Sequence, residues 1–225
     1  VEPQEHWLTA KDGHRVQAWS MRPRTARGRV PAVLEVHGGP HAQYGLTFFH
    51  EFQLLCAQGY EVWFSNPRGS KGYGERHTAA IRGAWGTKDW VDVQAVLGAM
   101  RRSKGIDPKR IGIMALSLGG YYAPRAASMD NRFACCISWG PEWDYHTKWQ
   151  QRLARIERGE ILSLSVPWQH LLWVFGVQTK DIFDGRRPLL IAGGVGVTPV
   201  CSILATLPER SAPIVLLRAH SNDDL

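Results

Sequence analysis

Arg110-Ile-Gly-Ile-Met-Ala-Leu-Ser-Leu-Gly-Gly-Tyr-Tyr122 is the stretch whose reading decides the fold. Ile111 to Leu116 is an apolar run of strand length, Ser117 stands at a corner of small residues, and helix formers follow. A serine on a sharp strand-to-helix turn is the layout of a nucleophile elbow, usually written Gly-x-Ser-x-Gly. Here the five residues are Ala115-Leu116-Ser117-Leu118-Gly119, with Gly120 behind them. Small residues two before and two after the serine let the turn close without Cβ clashes, and Ala115 still meets that need. Ser117 is therefore the candidate nucleophile; the alternative is an ordinary strand–turn–helix corner that contains a serine.

Upstream, Val30-Pro-Ala-Val-Leu-Glu-Val36 is a strand closed by His37-Gly-Gly-Pro-His41. Glycines at a strand end let backbone N–H groups approach a ligand oxygen. Gly38 and Gly39 are thus candidate oxyanion donors, with the N–H of Leu118 as the other half. The same glycines also suit a tight turn with positive φ. His37 and His41 are weighed as bases, but histidines beside such a glycine pair are more often structural.

The flanking segments read as an α/β pattern. Asp12-Gly13 between two strand-like runs predicts an N-terminal hairpin. Phe48 to Gln58 predicts a helix, Tyr60 to Ser65 a strand, and Trp90, Val93, Val96, Leu97 and Met100 the apolar face of another helix. Asn66 to Glu75 is glycine-rich but lacks the Gly-Lys-Ser/Thr ending of a phosphate-binding P-loop. Phe133–Trp139, Leu189–Ala192 and Ile214–Arg218 predict further strands. Between Trp143 and Asp181, tryptophans and helix formers suggest helices at Trp149, Leu153 and Ile156 and at Leu171, Leu172 and Val174. Those helices would cap a site, serve as plain packing, or form a dimer contact.

Composition bounds the rest. A chain of 225 residues with 44% hydrophobic content holds a real core and reads as one domain. Nothing approaches 18 consecutive apolar residues, so no membrane helix is expected. Val1-Glu-Pro-Gln-Glu-His lacks the basic and apolar regions of a signal peptide, and the two termini read as those of a fragment. The formal charge of +7 comes from scattered lysines and arginines with no nucleic-acid motif, so no specific nucleic-acid function is expected. The four cysteines match no zinc spacing. They are expected to be reduced and mostly buried, in a cytoplasmic protein with no metal and no cofactor.

Several motifs together resemble one family. Val36-His-Gly-Gly-Pro-His41, Asn66-Pro-Arg-Gly-Ser-Lys-Gly-Tyr-Gly-Glu75, Trp85-Gly86 with Asp89, and Ile106-Asp107 look like the catalytic domain of the prolyl oligopeptidase and acylaminoacyl peptidase family over residues 5–112. That resemblance implies an α/β-hydrolase fold and a serine peptidase or esterase ancestry. From Ser117 to about residue 183 the chain resembles instead the pseudooxynicotine hydrolase and fermentation-respiration-switch group of α/β hydrolases. Leu190 to Pro199, with Leu217 to Leu225, is similar to the nicotinamide-binding domain of ferredoxin-reductase-type flavoenzymes. There the loop around Gly193, Gly194 and Gly196 would hold a pyrophosphate.

Three resemblances in series read as a recombined or engineered mosaic with joins near residues 112 and 185. The expected architecture is a single three-layer α/β domain over 1–225. It has a mainly parallel, α/β-hydrolase-like sheet, the N-terminal antiparallel hairpin and a helical insertion, the candidate cap, at 142–183. In α/β hydrolases the triad runs serine, acid, histidine. The loop after Leu189–Ala192, where the acid normally stands, has no carboxylate. Asp144, after the Phe133–Trp139 strand, is the substitute, and His220, after the last strand, is the candidate base. Ser117, His220 and Asp144 would attack a small ester or amide substrate. A folded protein without natural catalysis and an NAD(P)-binding module remain the alternatives.

Overall fold

The computed structural model describes residues 1–139, 151, 154–160 and 173–174, together with the backbone of Leu189–Gly193 and Ile214–Arg218. Two compact units divide the chain, Val1–Pro141 and Glu142–Leu225.

The first unit is built on a six-stranded sheet in the order β1-β2-β4-β3-β5-β6. Its strands are β1 (Gln4–Thr9), β2 (Arg15–Met21), β3 (Val30–Val36), β4 (Glu61–Asn66), β5 (Ile106–Leu116) and β6 (Cys135–Trp139). β1 and β2 form the expected hairpin, and Gly13 takes the positive φ of 83° that its turn requires. β2 also runs antiparallel to β4, while β3 pairs in parallel with β4 and β5, and β5 with β6. The sheet is therefore parallel through its centre, as the α/β pattern predicts.

Side-chain alternation divides the core between two faces. Val16 and Ala18 of β2, Ala32, Leu34 and Val36 of β3, and Ile111, Ile113 and Ala115 of β5 pack on one face. They meet Val93, Val96, Leu97 and Met100 of α3 (Lys88–Arg102) and Tyr122, Ala123 and Ala126 of α4 (Gly119–Met129). Trp19 and Met21, with Val62 and Phe64 of β4, point the other way onto Phe52 and Cys56 of α1 (His50–Ala57). A sheet with helices on both faces is the three-layer arrangement.

The chain leaves β3 toward β4 on one side, then returns to place β5 on the other. The loops that follow β3 and β5 thus part at the sheet's switch point. Open α/β sheets bind ligands in the crevice outside the carboxyl ends of their strands at such a point.

β5 runs unbroken from Ile106, and its pairing with β3 shifts register between Val30 and Ala32. One local expectation changes. The cysteines are less buried than expected. Cys56 is buried, but Cys135 is exposed and Cys136 half-buried, because both stand on β6, the last strand of this sheet. Cys201 lies outside the described residues.

In the second unit, β7 (Leu189–Gly193) and β8 (Ile214–Arg218) pair in parallel as a two-stranded sheet. Both match predicted strands. Residues 154–157 and 173–174 are helical. The rest of the candidate cap at 142–183 lies outside the described residues.

Candidate active site

Ser117 is the structure's single non-glycine residue with positive φ among those described, at 62°. For an L-residue the left-handed region costs roughly 1–2 kcal/mol. The surroundings hold it there. The Ser117 N–H donates to the Trp139 carbonyl at the end of β6 (3.1 Å), and the Ser117 carbonyl accepts from Gly120 N–H (2.8 Å) as α4 begins. The side chain is exposed at the tip of the turn. This is the geometry the elbow motif predicts.

The two glycines of the elbow region are needed for space. A Cβ on Gly119 would stand 2.9 Å from both the Ala115 Cβ and the Val36 carbonyl oxygen. A Cβ on Gly38 would stand 2.7 Å from the Leu116 carbonyl oxygen and 3.3 Å from the Leu118 nitrogen. The loop after β3 therefore lies directly against the elbow, so Gly38 and Leu118 are neighbours in space. Leu118 is the N-cap of α4, and the first N–H groups of a helix have no carbonyl of their own helix to bond. Gly38 and Leu118 are thus brought together beside Ser117, and Gly39 follows in the same loop.

Both histidines of that loop are struts. His37 Nδ1 lies 2.8 Å from the Gly38 carbonyl, and Nε2 lies 2.8 Å from Ser70 Oγ. Burial holds its pKa below the usual imidazole range. His41 Nδ1–H donates to the Gly69 carbonyl at 2.6 Å. With its ring nitrogens engaged in this way, His37 fixes the loop after β3.

The glycine-rich loop after β4 is the anchor for those struts. Arg68 forks onto Asp92 of α3 with Nε to Oδ2 at 3.0 Å and Nη2 to Oδ1 at 2.7 Å, and its backbone N–H also reaches Oδ2 at 2.7 Å. Asp92 is fully buried. Removing one partner of such a buried pair costs roughly 3–5 kcal/mol, because the other charge is left uncompensated. Asp89, one turn earlier, accepts the N–H groups of Gly86 (2.8 Å) and Thr87 (3.1 Å). Burial pushes its carboxyl up to about 6. The loop is thus a scaffold for the segment after β3, in agreement with its lack of a P-loop ending.

Beside Ser117 opens a cavity of about 370 Å³, lined by Glu35, Tyr44, Phe49, Phe52, Met114, Leu116 and Trp139 among others. Sequence reasoning missed Glu35 and Trp139. The available signal was a lone carboxylate in an otherwise apolar strand.

Asp144 and His220, the candidate acid and base, lie outside the described residues, as do Gly194 and Gly196. Gly193 ends β7, paired with Arg218. No cluster of three or more metal-ligating side chains occurs among the described residues, and no described helix is long and apolar enough to cross a membrane.

Comparison with known proteins places these features in a lineage. The model of the prolyl oligopeptidase family matches residues 46–170, which carries it across residue 112, where the motifs alone suggested a join. The chain is 45% identical over 139 residues to the uncharacterized peptidase YuxL of Bacillus subtilis, spanning 60% of this chain and 21% of that protein. It is 28% identical over 116 residues to the acylamino-acid-releasing enzyme of Mus musculus, 51% of this chain and 16% of the relative. The chain thus spans about a fifth of these relatives' length. Among solved structures, acylaminoacyl peptidase of Pyrococcus horikoshii superposes with a TM-score of 0.70 at 20% identity, covering 98% of this chain and 37% of that one. A 2,6-dihydroxy-pseudo-oxynicotine hydrolase superposes at 0.58 and 21% identity, covering 97% and 61%. These likenesses establish the α/β-hydrolase fold.

Proposed function

The chain belongs to the prolyl oligopeptidase family, and from that premise we propose that it is a serine hydrolase with Ser117 as nucleophile and small esters or amides as substrates. The observation that carries this reading is the left-handed backbone of Ser117, held at the mouth of a cavity with Gly38 and Leu118 packed against it.

The steps follow from that arrangement. Ser117 Oγ attacks the carbonyl carbon as a base takes its proton. The carbonyl oxygen becomes an oxyanion beside the N–H groups of Gly38, Gly39 and Leu118. The base returns the proton to the leaving group, and water then releases the acyl group by the same path. His220 as that base, with Asp144 orienting it, follows from chain order in α/β hydrolases.

The superpositions extend over nearly the whole chain, and this supports reading the segment after residue 185 as part of a hydrolase-type sheet rather than a nicotinamide site. Residues 142–183 as a cap within one domain, a cytoplasmic location and a homo-oligomeric state belong to the same proposal.

The test is p-nitrophenyl acetate hydrolysis by the protein beside Ser117→Ala and His220→Ala. Both variants are expected to lose at least a hundredfold in rate, the lower range for a nucleophile or a general base. A Ser117→Ala variant as active as the parent would refute the reading.

A further inference from the structure

Glu35 is the charged residue of β3, and it is 3% exposed. Its Oε1 is buried with no hydrogen-bond partner among the described residues. A buried carboxyl without a donor is costly, and natural proteins pair such groups or bind something to them. Glu35 lines the same cavity as Ser117. The volume of about 370 Å³ lies in the range of small-molecule sites. Tyr44, Phe49, Phe52 and Trp139 give it aromatic walls, and Glu51 is a second carboxyl on its lining. Among the described residues the lining holds no lysine or arginine, although the whole chain carries a net charge of +7.

We propose that this cavity binds the ammonium group of a small molecule, with Glu35 as counter-ion and the aromatic side chains as its walls. Aromatic faces attract cations through their quadrupoles, and the attraction grows where water is excluded. An anion would meet two carboxyls. An uncharged apolar group would leave Glu35 Oε1 unpaired. As a statement about substrate, the assignment rests on Ser117 being the nucleophile and selects esters or amides that carry an ammonium group. As a binding site it stands without that step.

The groups facing Glu35 are Glu51 from α1, Tyr44 from the loop after β3, and His37 at the strand's end. Burial, then the charge of Glu51, pushes the Glu35 carboxyl up to about 9. Tyr44 is raised well above the usual phenol value, first by burial and then by Glu35 and Glu51, so it stays neutral. Burial lowers His37, which is neutral above pH 7. A permanent cation binds the ionised form of Glu35. Its affinity therefore rises with pH toward 9, by up to tenfold per unit, and binding at pH 7 releases a proton.

The experiment uses Ser117→Ala protein and benzyltrimethylammonium, a permanent cation, with binding read by ligand-observed NMR at pH 7 and pH 9. Benzyl alcohol is the uncharged control. The expected result is saturable binding of the cation that tightens between ten- and a hundredfold from pH 7 to pH 9. Benzyl alcohol binds more weakly at both values, and adding Glu35→Gln removes the pH dependence. Absence of binding, equal binding of benzyl alcohol, or a flat pH profile overturns the proposal. If the Glu35→Gln protein does not fold, the pH profile of the Ser117→Ala protein decides alone. No turnover is needed, so failure here leaves the nucleophile standing, and loss of hydrolysis elsewhere leaves this site standing.

Discussion

Ser117 pays for its exposure with an unfavourable backbone. Its φ of 62° is normal for glycine and strained for serine. Ser117→Gly is therefore expected to raise the unfolding free energy by up to ~1 kcal/mol, the strain relieved less the added chain entropy of glycine. Ser117→Ala keeps the strain and is expected to leave stability unchanged. Urea denaturation of the two variants measures the difference, and equal midpoints would mean that the turn is unstrained. The serine's place was legible because small residues flank it at the spacing a sharp turn requires. Glu35 was not. A single charge in a short strand reads as one face turned to water. Here β3 lies between β4 and β5 with helices on both sides, so neither face is wet. The depth of a strand in its sheet is a tertiary property that the alternation of a seven-residue segment does not carry.

Elements show a similar division. The helix after the elbow was legible, but the way it survives its own proline was not. Pro124 lies inside α4 and has no N–H for the carbonyl of Gly120, four residues before it. Ser138 on β6 supplies the missing donor: its hydroxyl reaches that carbonyl at 2.5 Å. Ser138→Ala is thus expected to destabilise the protein by roughly 1–3 kcal/mol, the cost of leaving a buried polar group unpaired. Thermal or urea unfolding reads this, and an unchanged midpoint would show that the carbonyl finds another donor. The exposure of Cys135 has the same origin as the missed Glu35, since a strand's sequence does not say whether it ends a sheet. The loop from Asn66 to Glu75 was correctly separated from phosphate cradles, yet its role as the anchor of His37 and His41 emerges only when Ser70 and Gly69 are seen against them.

Across the whole molecule, the order β4-β3-β5 places the loop after β3 and the elbow at one switch point, and a parallel-centred sheet follows from the α/β pattern of the sequence. The prolyl oligopeptidase resemblance over residues 5–112 was legible in the glycine-rich loops, and the family match, over residues 46–170, supports the same family. The suggested change of lineage near residue 112 rested on short motifs. Asp144 and His220 were placed by chain order alone, which specifies strand ends and not distances. The central claim is that Ser117 is an activated nucleophile, and the most direct measurement is labelling with a fluorophosphonate followed by peptide mass spectrometry. One phosphonyl adduct on the peptide containing Ser117, absent in Ser117→Ala, is the predicted result. An unlabelled Ser117 in protein that still hydrolyses p-nitrophenyl acetate, or an adduct on another residue, would contradict it.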